Sequence, residues 1–158
     1  MSTPASVMRT SDPYTRLLVV VFISFLTIYA LMYAMVDRWD HVYRNFNQVF
    51  MSGLLVAPIV LIELAVMSDM YPDRRRNFII AVIAVVVALL CWFGIREQAG
   101  VGDPQLIRSL IPNHAAAILL CNEAQLKDTE LQRLCSEIVA SHGVEIEQMK
   151  ALLKKPGI

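Results

Sequence analysis

The chain has 158 residues, of which 56% are hydrophobic, and its mean hydropathy is +0.52. This composition excludes an ordinary soluble domain, because the apolar residues gather in three blocks ahead of Arg96. The 14 basic residues balance the 14 acidic ones, so there is no basic field and no nucleic acid is expected as a partner.

The first apolar block runs from Leu17 to Val36 without a charge. A helix needs about 20 such residues to cross ~30 Å of hydrocarbon. Arg9 and Arg16 precede the block, as in a signal peptide, but the block exceeds the roughly 7–15 apolar residues of such peptides and lacks a clear cleavage site. It therefore predicts a retained membrane anchor.

Two further blocks follow, Val49 to Val66 and Phe78 to Ile95. Pro58 should kink the second block, which membrane helices tolerate. Glu63 lies near the end of that block, where it either reaches the interface or serves a function within the membrane. The three blocks predict an N-terminal tail (1–16) and a three-span membrane domain (17–95), with the lipid bilayer as a partner.

The distribution of arginines predicts the orientation of the spans. The tail and second loop hold five arginines and the opposite side four, namely Arg9, Arg16, Arg74, Arg75 and Arg76 against Arg38, Arg44, Arg96 and Arg108. The triple arginine lies in a very short loop, where the positive-inside rule is most reliable, and it also suits anionic lipids. We expect an inner (plasma) membrane protein whose N-terminus is cytoplasmic and whose C-terminal part is periplasmic or extracellular.

After a linker (96–103), the chain predicts an antiparallel helical hairpin over residues 104–155. Asp103 is the expected N-cap of its first helix, and Pro112 should free the carbonyl of Arg108. The stretch "QLKDTE" supplies the turn, after which Asp128 or Thr129 caps a helix that runs to about Lys154.

If the two helices fold back on each other about residue 128, residues that are equally far from that position on the two helices face each other. Cys121 then faces Cys135, where a disulfide is geometrically possible in an oxidising compartment; two small buried thiols are the alternative. His114 faces His142, with Glu145 and Met149 at successive turns beyond His142.

This seam combines two imidazoles, a carboxylate and a thioether, and it predicts a metal site at His114, His142, Glu145 and Met149. Imidazole with thioether suits copper, which is the first choice of ion, whereas imidazole with carboxylate suits other divalent metals. The alternative is that the two histidines form hydrogen bonds at the interface between the helices and bind no metal ion.

Weaker candidates lie elsewhere. Asp37, Asp40 and His41 in the first loop offer further oxygen and nitrogen ligands, although a solvated loop is the simpler interpretation. No serine or cysteine has a base in its sequence context and no glycine-rich phosphate loop is present, so we expect no enzyme activity and no catalytic residues.

The stretches "SLIPNHAAAILLCNEA" and "LCSEIVASHGVEIEQMK" resemble the ferritin-like domain-of-unknown-function family 305, and "DHVYRNFNQVFMSGLLVAPIVLIELAVMSDMYP" resembles its membrane-spanning subgroup. The resemblance implies a ferritin-like helical module with links to copper. His114 matches the second histidine of the family's His-His pair, and Glu145 with Met149 matches its Gln-x-x-Glu-Ile-x-x-Met motif. Cys121 and Cys135 match the cysteines of the subgroup.

The chain departs from the family at positions expected to bind metal. Asn113 stands in place of the first histidine, and His142 in place of the glutamine. Leucine or isoleucine replaces expected methionines at Leu55, Ile59, Leu110 and Leu120. These replacements preserve volume but remove thioether ligands, so the fold should persist while affinity for soft metals falls.

The sequence thus predicts a membrane-anchored protein that sequesters or handles copper or another divalent metal at a partly degenerate site. We expect it to form a homo-oligomer, because two helices bury little core on their own and dimerisation would give a four-helix arrangement. The alternative is a metal-free structural or interaction module, a disulfide-stapled hairpin on a membrane anchor.

Overall fold

The computed structural model describes residues 12–157, within which there are five α-helices and no β-strand. The helices are α1 (Pro13–Leu31), α2 (Phe46–Val66), α3 (Arg74–Arg96), α4 (Asp103–Glu123) and α5 (Thr129–Leu153). Short 3-10 turns at Trp39–His41 and Ser68–Met70 lie in the first two loops. The prediction of an all-α fold is confirmed. Arg9, which contributes to the charge count of the tail, lies outside the described residues.

Three of these helices, α1, α2 and α3, are long and apolar enough to cross a membrane. The α2 helix is central, since 28% of its apolar window is buried against 6% for α1 and 11% for α3. Gly53 and Gly94 lie where α2 and α3 approach closely: a Cβ on Gly53 would be 2.7 Å from the Cys91 sulfur, and one on Gly94 would be 3.0 Å from the Phe50 ring.

The helix ends differ from the limits of the apolar blocks. The first block was expected to continue to Val36, but α1 ends at Leu31 and the following residues turn. The turn allows Tyr33 to donate a hydrogen bond of 2.9 Å to the Tyr43 carbonyl. The α3 helix begins four residues before Phe78, because Asp73 caps its first turn.

Tyr14 joins the first turns of α1 and α3. Its hydroxyl donates to the Asn77 side chain at 2.9 Å and accepts from the Asp73 amide at 3.1 Å. The Arg76 guanidinium lies 5.4 Å from the centre of the Tyr14 ring, within the range of a cation–π contact. These contacts close one end of the group formed by α1, α2 and α3.

The α4 and α5 helices pack against each other and form what we call the α4–α5 pair. The expectation that Asp103 caps α4 is wrong: Gly102 occupies the N-cap position, and Asp103 is the first helical residue. Asp128 does cap α5, because its carboxylate accepts from the Leu131 amide at 2.8 Å.

Asn45 connects the α4–α5 pair to α2. Pro112 lacks an N–H, so the Arg108 carbonyl has no helical donor. The Asn45 side-chain amide donates to that carbonyl at 3.4 Å and to the Tyr43 carbonyl at 3.0 Å, while its oxygen accepts from the Gln48 amide and caps α2. This buried asparagine therefore connects α4 to the start of α2.

An apolar cluster packs α4 against α5 at the end of the pair that faces the first loop, which we call the base of the pair. Its buried members are Ile107, Ile111, Ala115, Ile118, Ile146 and Met149. Val36 and Tyr43 from the first loop pack against it. The core of the pair is thus continuous with the loop that follows α1.

Candidate metal centre

Three potential metal ligands converge between α4 and α5. His114 extends from the middle of α4, and His142 and Glu145 share one face of α5 because they are three residues apart. One ligand atom from each side chain lies within 4.8 Å of the others. The packing of α4 against α5 therefore brings these three predicted residues together.

The hydrogen bonds of His114 define which nitrogen is available for a metal. Its Nδ1 lies 2.9 Å from the Leu110 carbonyl, which only accepts, so Nδ1 carries the proton and donates. Nε2 lies 2.8 Å from a Glu145 carboxylate oxygen. At that distance a hydrogen bond joins the two atoms, and they are too close for a metal ion to bind both unless a side chain moves.

His142 supplies the second imidazole. Its ring centre is 4.4 Å from that of His114, with 48° between the ring planes. Its Nδ1 is buried and has no hydrogen-bond partner among residues 12–157. Buried polar atoms are normally satisfied, so an unpaired imidazole nitrogen beside a second imidazole and a carboxylate fits a ligand-binding site.

The spacing of the three ligands shows how the side chains would respond to an ion. Metal bonds of about 2.0–2.2 Å place tetrahedral ligands about 3.4 Å apart. The 2.8 Å contact between His114 and Glu145 is shorter than this, and no two ligand atoms of the set are more than 4.8 Å apart. Glu145 is 47% exposed and flexible enough to withdraw as an ion enters.

Met149, the fourth predicted ligand, belongs to the apolar cluster. It is 8% exposed and packs with Ile111 and Ile146, one turn beyond Glu145. The three nitrogen and oxygen ligands thus form one group, while the thioether contributes to the core that supports it.

The acidic and histidine residues of the first loop have a structural role at the base of the pair. His41 is 3% exposed, so the interpretation of a solvated loop is wrong for this residue. Its Nδ1 donates to Asp37 at 2.5 Å, and its Nε2 accepts from Arg38 at 3.1 Å. Both nitrogens are therefore occupied within the loop.

Asp40 ties the same loop to α5. The Lys150 ammonium donates to Asp40 at 2.6 Å and to Glu147 at 3.1 Å. The hydrogen bond from Lys150 lowers the pKa of Asp40 below its ordinary value. Burial of Lys150 would lower its pKa, but the bonds to Asp40 and Glu147 outweigh that effect and raise it.

Glu63, the ionisable residue of the second span, accepts a hydrogen bond of 3.0 Å from the Tyr71 hydroxyl. Burial and this bond raise the pKa of Tyr71. The contact gives Glu63 a partner in the loop between α2 and α3, consistent with its expected position near the interface.

Sequence reasoning did not identify the Leu110 carbonyl, which orients the His114 ring. The signal was available, because a helical histidine can donate to the carbonyl four residues before it. The importance of Lys150 was missed as well, and no local pattern links it to Asp40, 110 residues away.

Cys121 and Cys135 form a disulfide with a Cα–Cα distance of 5.2 Å. Of the two interpretations of these cysteines, the disulfide is therefore confirmed. The bond lies two helical turns from His114 along α4 and two turns from His142 along α5. It closes the end of the pair next to the connecting segment.

Comparisons with known proteins give one distant relative. No family model matches the chain, and no solved structure does. Over 111 residues, 69% of this chain and 71% of the other, the sequence is 24% identical to "Uncharacterized protein L153" of Acanthamoeba polyphaga mimivirus. That name states no activity.

Proposed function

We propose that the chain is a membrane-anchored protein that binds a divalent metal, copper first, at His114, His142 and Glu145. The convergence of these side chains carries the proposal. Two imidazoles and one carboxylate leave a fourth coordination position for water or an acceptor molecule. The protein would sequester or hand on the ion, and no reaction on a substrate is assigned to it.

The chemistry of the three ligands favours Cu(II) among the available ions. A site of nitrogen and oxygen ligands binds Cu(II) more tightly than other divalent first-row metals, whereas Cu(I) prefers sulfur. Zn(II) is the next candidate. Because an ion must replace the proton between His114 and Glu145, binding should release protons and weaken in acid.

The disulfide supports the orientation that we propose. A disulfide persists in an oxidising compartment, so the α4–α5 pair would be a periplasmic or extracellular hairpin, opposite the Arg74–Arg76 run. A reporter active only in the cytoplasm, fused after Ile158, should therefore stay inactive. Activity of that reporter would reverse the orientation.

We also propose that the hairpin pairs with a second copy to give a ferritin-like four-helix arrangement. Apolar side chains remain exposed on α4 and α5, among them Leu120, Leu134 and Val144. Pairing would bury such side chains. Sedimentation in detergent should then report a dimer.

Metal titration of the purified full-length chain tests the binding proposal. We expect Cu(II) to bind more tightly than Zn(II), and His114→Ala together with His142→Ala to abolish binding at the site. His41→Gln is the matched control, because it removes the remaining histidine of the chain away from the site. Unchanged binding in the double variant would refute the site.

A metal-free role is the second candidate, and one observation favours it. His114 already has the Leu110 carbonyl and the Glu145 carboxylate as partners, which suffices for a structural ion pair. A hairpin of this kind would serve as a structural or interaction module. Absence of Cu(II) and Zn(II) binding, with Glu145→Gln lowering the unfolding temperature, would select this function.

A further inference from the structure

We propose that the Cys121–Cys135 disulfide is a redox lock on the metal site, opened by a dithiol reductant. The inference rests on the metal-binding function proposed above and adds its regulation. The disulfide and the two histidines lie on the same seam: seven residues separate His114 from Cys121, and seven separate Cys135 from His142. Each interval is two helical turns, about 10 Å.

Few apolar contacts hold the first half of α5 against α4. Within the described part of α5, the buried residues are Ile146 and Met149, both beyond the site. Between the site and the disulfide, Val139 is only partly buried where it packs against the apolar cluster. Leu131 and Leu134 are 44% and 50% exposed. The polar contacts of this half either stay within the helix, as in the ion pair between Arg133 and Glu137, or reach the connecting segment, as in the bond from Gln132 to the Leu126 carbonyl.

The metal site therefore lies between two restraints of different kinds. The apolar cluster around Ile111 and Ile146 holds the base of the pair. The disulfide holds the other end, and the His114–Glu145 and His142 contacts lie between them. Removing the disulfide leaves the position of His142 dependent on the apolar cluster, which reaches this part of α5 only through the half-buried Val139.

A reductant can reach the disulfide. Both cysteines line an open cavity of about 480 Å³ at the end of the pair, together with Asn122, Gln132 and Ser136. Thiol–disulfide exchange requires such access, because a thiolate must attack along the axis of the sulfur–sulfur bond. The cavity admits a small dithiol or the reactive end of a dithiol protein.

The dithiol supplies all the electrons and protons that reduction of the disulfide requires. A thiolate of the dithiol attacks one cysteine sulfur, forms a mixed disulfide and releases the other cysteine as a thiolate, which takes up a proton. The second thiolate of the reductant then attacks the mixed disulfide and releases the first cysteine, which is also protonated. Two electrons and two protons reach Cys121 and Cys135, and the dithiol becomes a disulfide.

Opening the lock should lower the apparent affinity for metal. When a binding-competent arrangement is populated only in part, the apparent dissociation constant rises in inverse proportion to that fraction. If separation of α5 leaves about one molecule in ten with His114 and His142 paired, binding weakens about tenfold. The protein would then hold an ion under oxidising conditions and release it on reduction.

The test uses the full chain in detergent with Cys91→Ser, which removes the remaining thiol of the sequence and leaves the lock closed. One sample stays oxidised. A second is reduced and then alkylated with iodoacetamide, so that its thiols cannot bind metal. A third carries Cys121→Ser and Cys135→Ser. Zn(II) and Cu(II) affinities are measured by calorimetry, and circular dichroism verifies that helix content is retained.

We expect both unlocked samples to bind at least tenfold more weakly, with faster amide exchange in residues 131–142 than in the oxidised sample. Affinities within twofold of the oxidised sample would overturn the lock and leave the metal site intact. Absence of binding by the oxidised sample would instead refute the proposed function, and the lock with it. The amide exchange still reports in that case whether the disulfide orders α5.

Discussion

Replacing Asn45 should loosen the connection between the α4–α5 pair and the membrane-spanning part. Asn45 is 4% exposed, and its side chain makes three hydrogen bonds, with the Gln48 amide and the Tyr43 and Arg108 carbonyls. Losing an N-cap costs about 1 kcal/mol. Each lost hydrogen bond to a carbonyl costs roughly 0.5–1.5 kcal/mol, the lower value applying to the 3.4 Å bond with Arg108.

Asn45→Ala should therefore lower the free energy of unfolding by about 2–3 kcal/mol. Asn45→Ser retains a capping oxygen but is too short to reach Arg108, so it should cost about 1 kcal/mol less than alanine. Asn122→Ala, at an exposed asparagine of α4, is the control and should stay within about 0.5 kcal/mol of the original.

The assay is unfolding of the detergent-solubilised chain in increasing SDS, followed by far-ultraviolet circular dichroism. Hydrogen exchange then locates the change, which should appear in the first turns of α4. If Asn45→Ala unfolds with the control, the asparagine does not connect the two parts. If serine is as damaging as alanine, the cap contributes nothing and the donated bonds carry the whole effect.

Three further changes test other contacts. Ile111→Ala empties a fully buried position and should cost about 2–5 kcal/mol, measured by the same unfolding assay. Gly53→Ala places a methyl group against the Cys91 sulfur and should lower the unfolding temperature, whereas adding Cys91→Ala should restore part of it; no restoration would refute this close approach. The lowered pKa of Asp40 contributes stability that is present above its ordinary value of 3.8 and lost as pH falls through the lowered value. Lys150→Met should therefore reduce the difference between the unfolding temperatures at pH ~3 and pH ~7, and an unchanged difference would exclude this ion pair as its source.

The sequence predicted the three long apolar helices well because hydropathy depends on composition over a long window. It predicted the ends of the helices less well, since they depend on individual side chains. Asp73 starts α3 within the polar run that precedes Phe78, and the turn after Leu31 forms where Tyr33 reaches Tyr43. Neither contact can be read from apolar periodicity.

Within the candidate site, the helical repeat and the turn at residue 128 predicted that His114 would face His142. A short connection between two antiparallel helices determines which of their residues face each other. The contact between His114 and His142 could therefore be predicted from a short stretch of sequence. The bonds from Lys150 to Asp40 and from Asn45 to Arg108 join residues 110 and 63 positions apart. No periodic pattern specifies such pairs, because they depend on how the helices pack in three dimensions.

The bond from Asn45 to Arg108 joins α4 to the start of α2, so a change in the direction of α2 would rotate α4 about this point. Membrane helices tilt when bilayer thickness does not match their length, and α4 would turn with such a tilt. A rotation of about 10° displaces Cys121, about 20 Å from Arg108, by about 3 Å, but His114 by only about half as much. Any tilt of α2 would thus move the disulfide about twice as far as the histidines.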